Sequence, residues 1–434
     1  MRSLTIALLF AATTALAQRP APAPPQVRSI LVSGGTVHVG DGRTIDEGAV
    51  GFREGRIDYV GYAYGVKLAY DTVIDASGKH VYPGLILPDA TLGLQEIDQV
   101  RATADADEVG DMEPEVRALP AYNTDSRITP TVRANGVLLA QVVPQGGILS
   151  GTSSIVQLDA WDWEQAAVRT DDGIHLNWAR AFRRMGWWAE RGEVLKEKEE
   201  ERASKLRDLD RFFVQAKAYA QEPAPLEVDL RLDAMRGLWD GTKTLFVHAD
   251  LVREIQEAVL FAKRHGVKRL VLVGGYDAWR VADLLRDHDV DVVLRRVHSL
   301  PLRDDDPVDL PYRLPALLKE KGLRFCLSYA GNMERMGSRN LAFTAGTAAA
   351  YGLDKEAALR AITLDAAAIL GIGDLYGSLE AGKSATLFIS TGDALDMRGN
   401  HVEAAFIDGR AITLDDHQKR LYRMYKERYR ENGR

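Results

Sequence analysis

The fold of this chain is decided by the stretch Val81-Tyr82-Pro83-Gly84-Leu85-Ile86-Leu87-Pro88-Asp89-Ala90-Thr91-Leu92-Gly93. An apolar run follows Pro-Gly here and ends in small and polar residues. Such a run is typical of a buried strand that delivers its last side chains into a cleft. We therefore expect Asp89 and Thr91, at the end of this strand, to border a site.

Apolar strand patterns alternate with helical patterns through most of the chain that follows. This alternation predicts an α/β fold with parallel strands. Eight strands would close a TIM-like (β/α)8 barrel whose site lies at the C-terminal ends of the strands. The predicted strands are Leu85–Asp89, Val137–Val143, Ser154–Leu158, Gly173–Trp178, Thr244–Ala249, Val267–Val273, Asp291–Leu294 and Leu323–Ser328.

Both ends of the chain carry further short strand patterns. Those in residues 30–74 are separated by Gly-rich turns and are too few to enclose a core alone. Similar patterns return at residues 385–390 and 402–407, so we expect a small β-sandwich domain built from both chain ends. The predicted boundaries are 1–17 for a signal peptide, 18–28 for a Pro-rich tether, 29–83 and 381–415 for the two parts of the sandwich, 84–380 for the barrel with a helical insertion near 190–222, and 416–434 for a C-terminal helix.

The first residues predict export. Arg2 precedes a short apolar run, and Ala15-Leu16-Ala17 has the small-x-small pattern of a signal peptidase site. We expect the mature protein to be periplasmic or extracellular, with no membrane span. The net charge of −7 argues against nucleic acid as a partner. Because Cys326 is the single cysteine, no intrachain disulfide can form.

The opening stretch, together with His248 and the phrase Gly377–Lys383, resembles the amidohydrolase superfamily, most nearly its imidazolonepropionase-like branch. That family begins its first barrel strand with Pro-Gly-Leu-Ile-Asp-x-His-x-His, and both histidines bind a catalytic metal. It also assembles a small sandwich from both chain ends. The resemblance implies a hydrolase of amide, peptide-like or cyclic C–N bonds.

At the ligand positions the sequence departs from this pattern. Asp89 and Thr91 stand where the resemblance places the two histidines, and Ala330 stands where it places an aspartate. The strand that ends at Val273 has no histidine near its end, whereas His248 is kept. The departures predict a degenerate metal site. A single divalent metal, zinc, on His248 remains the alternative that is not favoured.

Other residues are candidates for chemistry or binding. Asp89 and His248 could form an acid/base set if the barrel brings them together. His175, His298 and Tyr329 are candidates for substrate binding. The structural alternatives are a hydrogen-bonded core histidine at position 248 and a solvated carboxylate at position 89.

Three functions therefore stay open on the sequence. The first is a C–N hydrolase with an altered site, and the second is a pseudoenzyme that binds a ligand without turnover. The third is a metal-independent hydrolase that uses Asp89 and His248. The expected partners are a small-molecule or peptide-like ligand and an active amidohydrolase homologue, in a homo- or hetero-oligomer.

Overall fold

The computed structural model describes residues 21–97, 99–184, 194–196, 198–331 and 334–431. The predicted signal peptide, residues 1–17, lies outside them, as do part of the predicted insertion and the last three residues. The strands are β1 (Ile30–His38), β2 (Thr44–Arg53), β3 (Arg56–Tyr62), β4 (Thr72–Asp75), β5 (His80–Pro83), β6 (Leu85–Ala90), β7 (Val137–Val142), β8 (Leu149–Gln157), β9 (Ala167–Asn177), β10 (Phe182–Arg184), β11 (Val194–Lys196), β12 (Thr244–Ala249), β13 (Leu270–Gly274), β14 (Asp291–Leu294), β15 (Phe325–Leu327), β16 (Leu387–Ser390), β17 (Val402–Ile407) and β18 (Arg410–Ala411).

Helices cover the barrel strands and fill the connections between them. They are α1 (Ala118–Ala121), α2 (Thr129–Arg133), α3 (Trp163–Ala166), α4 (Glu199–Ala220), α5 (Leu230–Ala234), α6 (Gly237–Asp240), α7 (Val252–His265), α8 (Ala282–Asp287), α9 (Leu310–Glu320), α10 (Glu334–Gly337), α11 (Leu341–Ala350), α12 (Lys355–Arg360), α13 (Leu364–Ile369) and α14 (His417–Glu431). In the described part of the chain, none of these is both long and apolar enough to cross a membrane.

The predicted barrel is confirmed as a nearly closed sheet of eight strands, β6 to β9 and β12 to β15. Its first and last strands, β6 and β15, do not pair directly but are both hydrogen bonded to residues 361–362. Leu327 N donates to Ala361 O at 3.0 Å, and Ile86 N donates to Ile362 O at 2.9 Å. The Ser328 hydroxyl donates to the carbonyl oxygen of Pro88 at 2.8 Å across the same gap.

The expectation of parallel strands throughout the barrel is wrong at the third strand. β8 runs antiparallel to both β7 and β9. A parallel crossover needs about a dozen residues or more, and residues 143–148 are too few to supply one. The chain therefore turns back as a hairpin, and β8 begins at Leu149, upstream of the predicted start at Ser154.

An apolar layer fills the inside of the barrel. The layer combines strand residues with side chains of the segment around α13, and its strand members are Ile86, Leu139, Ile155, Phe246, Val271, Val273, Val293 and Cys326. Burial there raises the pKa of the Cys326 thiol well above its usual range. Asp89 and His248 do not belong to this layer and lie near the C-terminal ends of β6 and β12.

Strands from both ends of the chain form a second sheet of eight strands, as expected for the accompanying domain. Its order is β18-β17-β16-β5-β1-β2-β3, and β4 pairs with β1. Antiparallel pairing of β16 with β5 joins the two chain ends. The sheet encloses a core of its own, which includes Val37, Phe52 and Leu387.

Candidate active site

Three side chains from separate barrel strands converge at one point. Asp89 is the last residue but one of β6, His175 lies in β9 and His248 lies in β12. One carboxylate oxygen and two ring nitrogens from these residues all lie within 4.8 Å of one another, and all three residues are buried. Because β6, β9 and β12 run in one direction, their last residues meet at the same mouth of the barrel.

A chain of hydrogen bonds links the two histidines to an arginine. His175 Nδ1 and His248 Nε2 are 2.9 Å apart. On the other side of the His248 ring, Arg295 Nη2 lies 3.0 Å from Nδ1. Arg295 Nη1 also donates to Asp250 Oδ2 at 3.1 Å, so the guanidinium is held between a histidine and a carboxylate.

The arginine determines where the histidine protons reside. A guanidinium only donates, so His248 Nδ1 must accept and the proton of the neutral ring lies on Nε2. His248 Nε2 then donates to His175 Nδ1, which leaves the proton of His175 on its Nε2. That Nε2 is buried and has no hydrogen-bond partner among the described residues. Burial lowers the pKa of His175 to about 3, which keeps this ring neutral.

Asp89 is strained and lacks a side-chain partner. Its φ is +52°, a left-handed conformation that is costly for a non-glycine residue and is often found at functional sites. The backbone N–H donates to Gln141 Oε1 at 3.2 Å. No group in the described ranges donates a hydrogen bond to its carboxylate. Burial raises the pKa of Asp89 to about 6, against an opposing contribution from the Arg295 guanidinium.

A buried polar layer orients Gln141 beneath Asp89. Gln141 Nε2 donates to Asp172 Oδ2 at 2.8 Å, and the Ser153 hydroxyl donates to Asp172 Oδ1 at 2.8 Å. The Asp172 carboxylate can only accept, so the Gln141 oxygen is turned toward Asp89. Burial raises the pKa of Asp172 to about 6, although its bonds to Ser153 and Gln141 lower it.

Thr91 is committed to a contact with Glu334. Its backbone N–H donates to Glu334 Oε1 at 3.1 Å, and its hydroxyl donates to Oε2 at 2.6 Å. Burial raises the pKa of Glu334 to about 7, while these bonds lower it and Asp89 raises it further. The Thr91 hydroxyl therefore ties the end of the first barrel strand to the start of α10, which carries Glu334.

The remaining sequence candidates have other contacts. His298 Nε2 is hydrogen bonded to Thr347 Oγ1 at 2.7 Å and makes no hydrogen bond to the three converging residues. Tyr329 lies under the guanidinium of Arg296, 5.4 Å from its ring centroid. The backbone N–H of Ala330 donates to the Ser328 hydroxyl at 2.9 Å, and its methyl side chain offers no ligand atom.

The metal implied by the resemblance can be tested against these contacts. Two imidazoles and a carboxylate are a donor set of catalytic zinc sites, and the distances allow it. The sequence left His248 as the one possible ligand, and the geometry adds Asp89 and His175 as candidates. However, the His248 Nε2 carries a proton because Arg295 occupies Nδ1. As arranged, the set does not fit a metal ion.

Sequence reasoning missed four residues of this site: Gln141, Asp172, Arg295 and Glu334. A signal existed for one of them. Arg295 directly follows the predicted strand Asp291–Leu294, and the end of a barrel strand is where site residues are expected. No pattern marked Asp172 or Glu334, which come together with their partners only in the folded chain.

The comparisons with known proteins agree with this architecture. A sequence model of the amidohydrolase family matches residues 312–412, which confirms the resemblance. No curated protein sequence matches the chain. The fold is similar to that of an amidohydrolase from Thermotoga maritima, at a TM-score of 0.77 and 24% identity over 88% of this chain and 99% of that one.

More distant structures share the fold as well. A Xaa-Pro dipeptidase with bound methionine has a TM-score of 0.53 and 16% identity over 88% of this chain and 99% of its own. An adenosine deaminase from Xanthomonas campestris with bound zinc has a TM-score of 0.53 and 17% identity over 94% of this chain and 100% of its own. At these identities the likeness establishes the fold and leaves the activity open.

Proposed function

We propose that this chain hydrolyses C–N bonds of the amide or cyclic amide type at the barrel mouth, with Asp89 as general base and without a metal ion. One observation carries the proposal. Asp89 is a buried carboxylate without a side-chain hydrogen bond among the described residues, and its pKa is raised to about 6 beside a fixed guanidinium. Perturbed carboxyl groups of this kind cluster at functional sites.

The chemistry uses the groups that converge there. A general base is most effective when its pKa lies near the working pH. Asp89 takes a proton from a water molecule, whose oxygen attacks the carbonyl carbon of the substrate. The Arg295 guanidinium stabilises the negative charge that develops on the carbonyl oxygen. Asp89 then returns the proton to the leaving nitrogen as the C–N bond breaks, which yields a carboxylic acid and an amine.

The fold relatives support this substrate class. Proteins of the same fold include a prolidase, a Xaa-Pro dipeptidase and an adenosine deaminase. Their names describe hydrolysis at carbon–nitrogen bonds. Fold alone does not decide function, so the substrate class for this chain rests on Asp89 together with that pattern.

A second candidate is a pseudoenzyme that binds a ligand or an active homologue without turnover. It is favoured by Ala330, a residue without a titratable group at the position where the resemblance expects an aspartate. In that case the neutral histidines and Arg295 would serve only to bind.

Turnover of a substrate panel separates the two candidates. The panel contains N-acyl amino acids, Xaa-Pro dipeptides and cyclic amides, with free amine as the readout. We expect hydrolysis by the wild type and a loss of about 100-fold or more in Asp89→Asn. Asp105→Asn, the same change on an exposed loop residue, should keep full activity. Binding of a panel member without amine release would favour the pseudoenzyme.

Export remains a proposal that rests on the first residues. The pattern of Arg2, a short apolar run and Ala15-Leu16-Ala17 supports a cleaved signal peptide. Fractionation of a cell that expresses the full chain should place the mature protein outside the cytoplasm, with its N-terminus at Gln18. A cytoplasmic protein that keeps Met1 would contradict it.

A further inference from the structure

We infer that Arg295 excludes divalent metals from the barrel mouth, because it holds His248 in the tautomer that cannot act as a ligand and places a fixed positive charge there. The inference deepens the proposed function, since it explains how a barrel of this kind can work without a metal. It concerns metal binding alone, so a metal titration and a turnover assay can fail independently.

The first step is the anchoring of the guanidinium. Arg295 follows β14 directly, and its two terminal nitrogens donate to different acceptors, Asp250 Oδ2 at 3.1 Å and His248 Nδ1 at 3.0 Å. Bidentate placement of a planar guanidinium fixes both its position and its orientation. The bond to His248 is therefore a stable part of the site.

The space for Asp250 depends on a glycine at the end of β13, the sixth barrel strand. Gly274 ends β13 with a φ of +107°, and a Cβ placed there would lie 2.5 Å from Asp250 Oδ1. A larger residue at this strand end would displace the carboxylate that holds Arg295. A glycine in place of a histidine at the end of β13 therefore leaves the space in which Asp250 holds Arg295.

The third step is the effect on the ring. Ligand histidines usually donate their second ring N–H to a carboxylate, a carbonyl or water, which leaves the other nitrogen free for the metal. Here the second nitrogen of His248 faces a donor, so the proton is forced onto Nε2. A metal ion at Nε2 would require an N–H at Nδ1 that points at the Arg295 N–H.

The fourth step is charge. The Arg295 guanidinium lies close enough to Asp89 to oppose the effect of burial on its carboxyl group. A divalent ion between Asp89, His175 and His248 would place two cations side by side in a site of low exposure. Coulomb repulsion between them is strong where water does not screen it.

Loss of Arg295 should therefore create a metal site. Without the guanidinium, His248 can carry its proton on Nδ1. The lone pairs of His248 Nε2 and His175 Nδ1, 2.9 Å apart, would then face each other. Two facing lone pairs repel each other. A zinc ion bound by both nitrogens and by the Asp89 carboxylate would remove that repulsion.

Zinc titration of chelator-treated protein tests the inference. We expect wild type to bind zinc weakly and Arg295→Met to bind one equivalent about 10- to 100-fold more tightly. Changes in the groups that hydrogen-bond to metal ligands alter metal affinity by about this factor. The gain should vanish in Arg295→Met/His248→Ala. Arg180→Met is the matched control, because exposed Arg180 also acts on His248 through its charge but donates no hydrogen bond to it.

A second measurement guards against a variant that fails to fold. Long-range proton–nitrogen NMR spectra of histidine-labelled wild type report the tautomer of each ring directly. We expect His248 to carry its proton on Nε2. A wild type that binds stoichiometric zinc through His248, or a His248 ring protonated on Nδ1, would overturn the inference. So would an Arg295→Met variant that folds and binds zinc no better than wild type.

Discussion

At Asp89, backbone strain and burial act on the same residue. A non-glycine residue in the left-handed region costs on the order of 1–3 kcal/mol and persists only where its surroundings enforce it. Gln141 and the bridge between β15 and β6 supply that constraint. The result is a carboxylate aimed into the barrel mouth with its protonation equilibrium shifted into the working range of pH.

Glu334 provides a prediction for stability. Its pKa is about 7 in the folded chain against an ordinary value of 4.5, so the native state holds this proton more tightly than the unfolded state. Between these pH values the stability contributed by Glu334 is lost as pH rises. Glu334→Gln should reduce the difference in unfolding free energy between pH 5 and pH 8 by about 1–3 kcal/mol.

Urea unfolding of both proteins at the two pH values measures this. Glutamine can accept from the Thr91 N–H and donate to its hydroxyl, so the variant should fold normally. Glu200→Gln, on the exposed start of α4, should show the same pH dependence of the unfolding free energy as wild type. An unchanged slope in Glu334→Gln would contradict the raised pKa.

Some of the candidate site residues could be predicted from the sequence pattern and others could not. Asp89 and His248 were predictable because each ends an apolar strand pattern, and strand ends meet at a barrel mouth. The contact of His175 with His248 was not predicted, since a histidine inside a strand has no pattern that separates a site residue from a core residue. The role that we infer for Arg295 depends on the tautomer of His248, a property that arises only from three-dimensional contacts.

At the scale of elements, Arg202 fixes the long helix α4 to α7. Its side chain is 3% exposed, donates to Ala179 O at 3.1 Å and forms an ion pair with Glu257. Arg202→Ala would leave Ala179 O without its donor and remove one of the donors to Glu257, which keeps its bonds to Arg253 and Trp178. We expect a loss of about 1–3 kcal/mol in unfolding free energy, the cost of leaving a buried acceptor without its donor.

Chemical denaturation of the variant measures this loss. Arg207→Ala, on the exposed face of the same helix, should stay within about 0.5 kcal/mol of wild type. An equal effect of both substitutions would mean that α4 is a peripheral addition without a structural anchor.

The elements themselves were largely predictable, and the exception has a clear cause. Long strands and amphipathic helices impose a period on the sequence, so the barrel was found from its pattern. The direction of β8 was not, because a buried strand has the same composition whichever way it runs. Only the short connection at residues 143–148 carried that information.

At the scale of the whole molecule, the sheet and the barrel share a core. Phe388 on β16 is fully buried, stacks on Tyr82 with ring centroids 5.2 Å apart, and belongs to the same cluster as the residues that pack around the barrel. All seven tryptophans lie between residues 161 and 279, so tryptophan fluorescence reports only the barrel and its insertions.

Phe388→Ala should therefore destabilise the barrel although the substitution lies in the sheet. We expect a loss of about 3–5 kcal/mol, seen as an equal shift of the unfolding midpoint by tryptophan fluorescence and by far-UV circular dichroism. Val73→Ala, at a side chain 64% exposed on the same sheet, should have little effect. A fluorescence midpoint that does not move would show that the two units unfold separately.

The most direct test of a metal-free site is turnover of a cleaved amide before and after exhaustive chelation, followed by addition of zinc. A site that works through Asp89 and Arg295 predicts the same rate in all three states, rising with pH as Asp89 ionises near pH 6. A rate that falls on chelation and returns with zinc would contradict a metal-free mechanism.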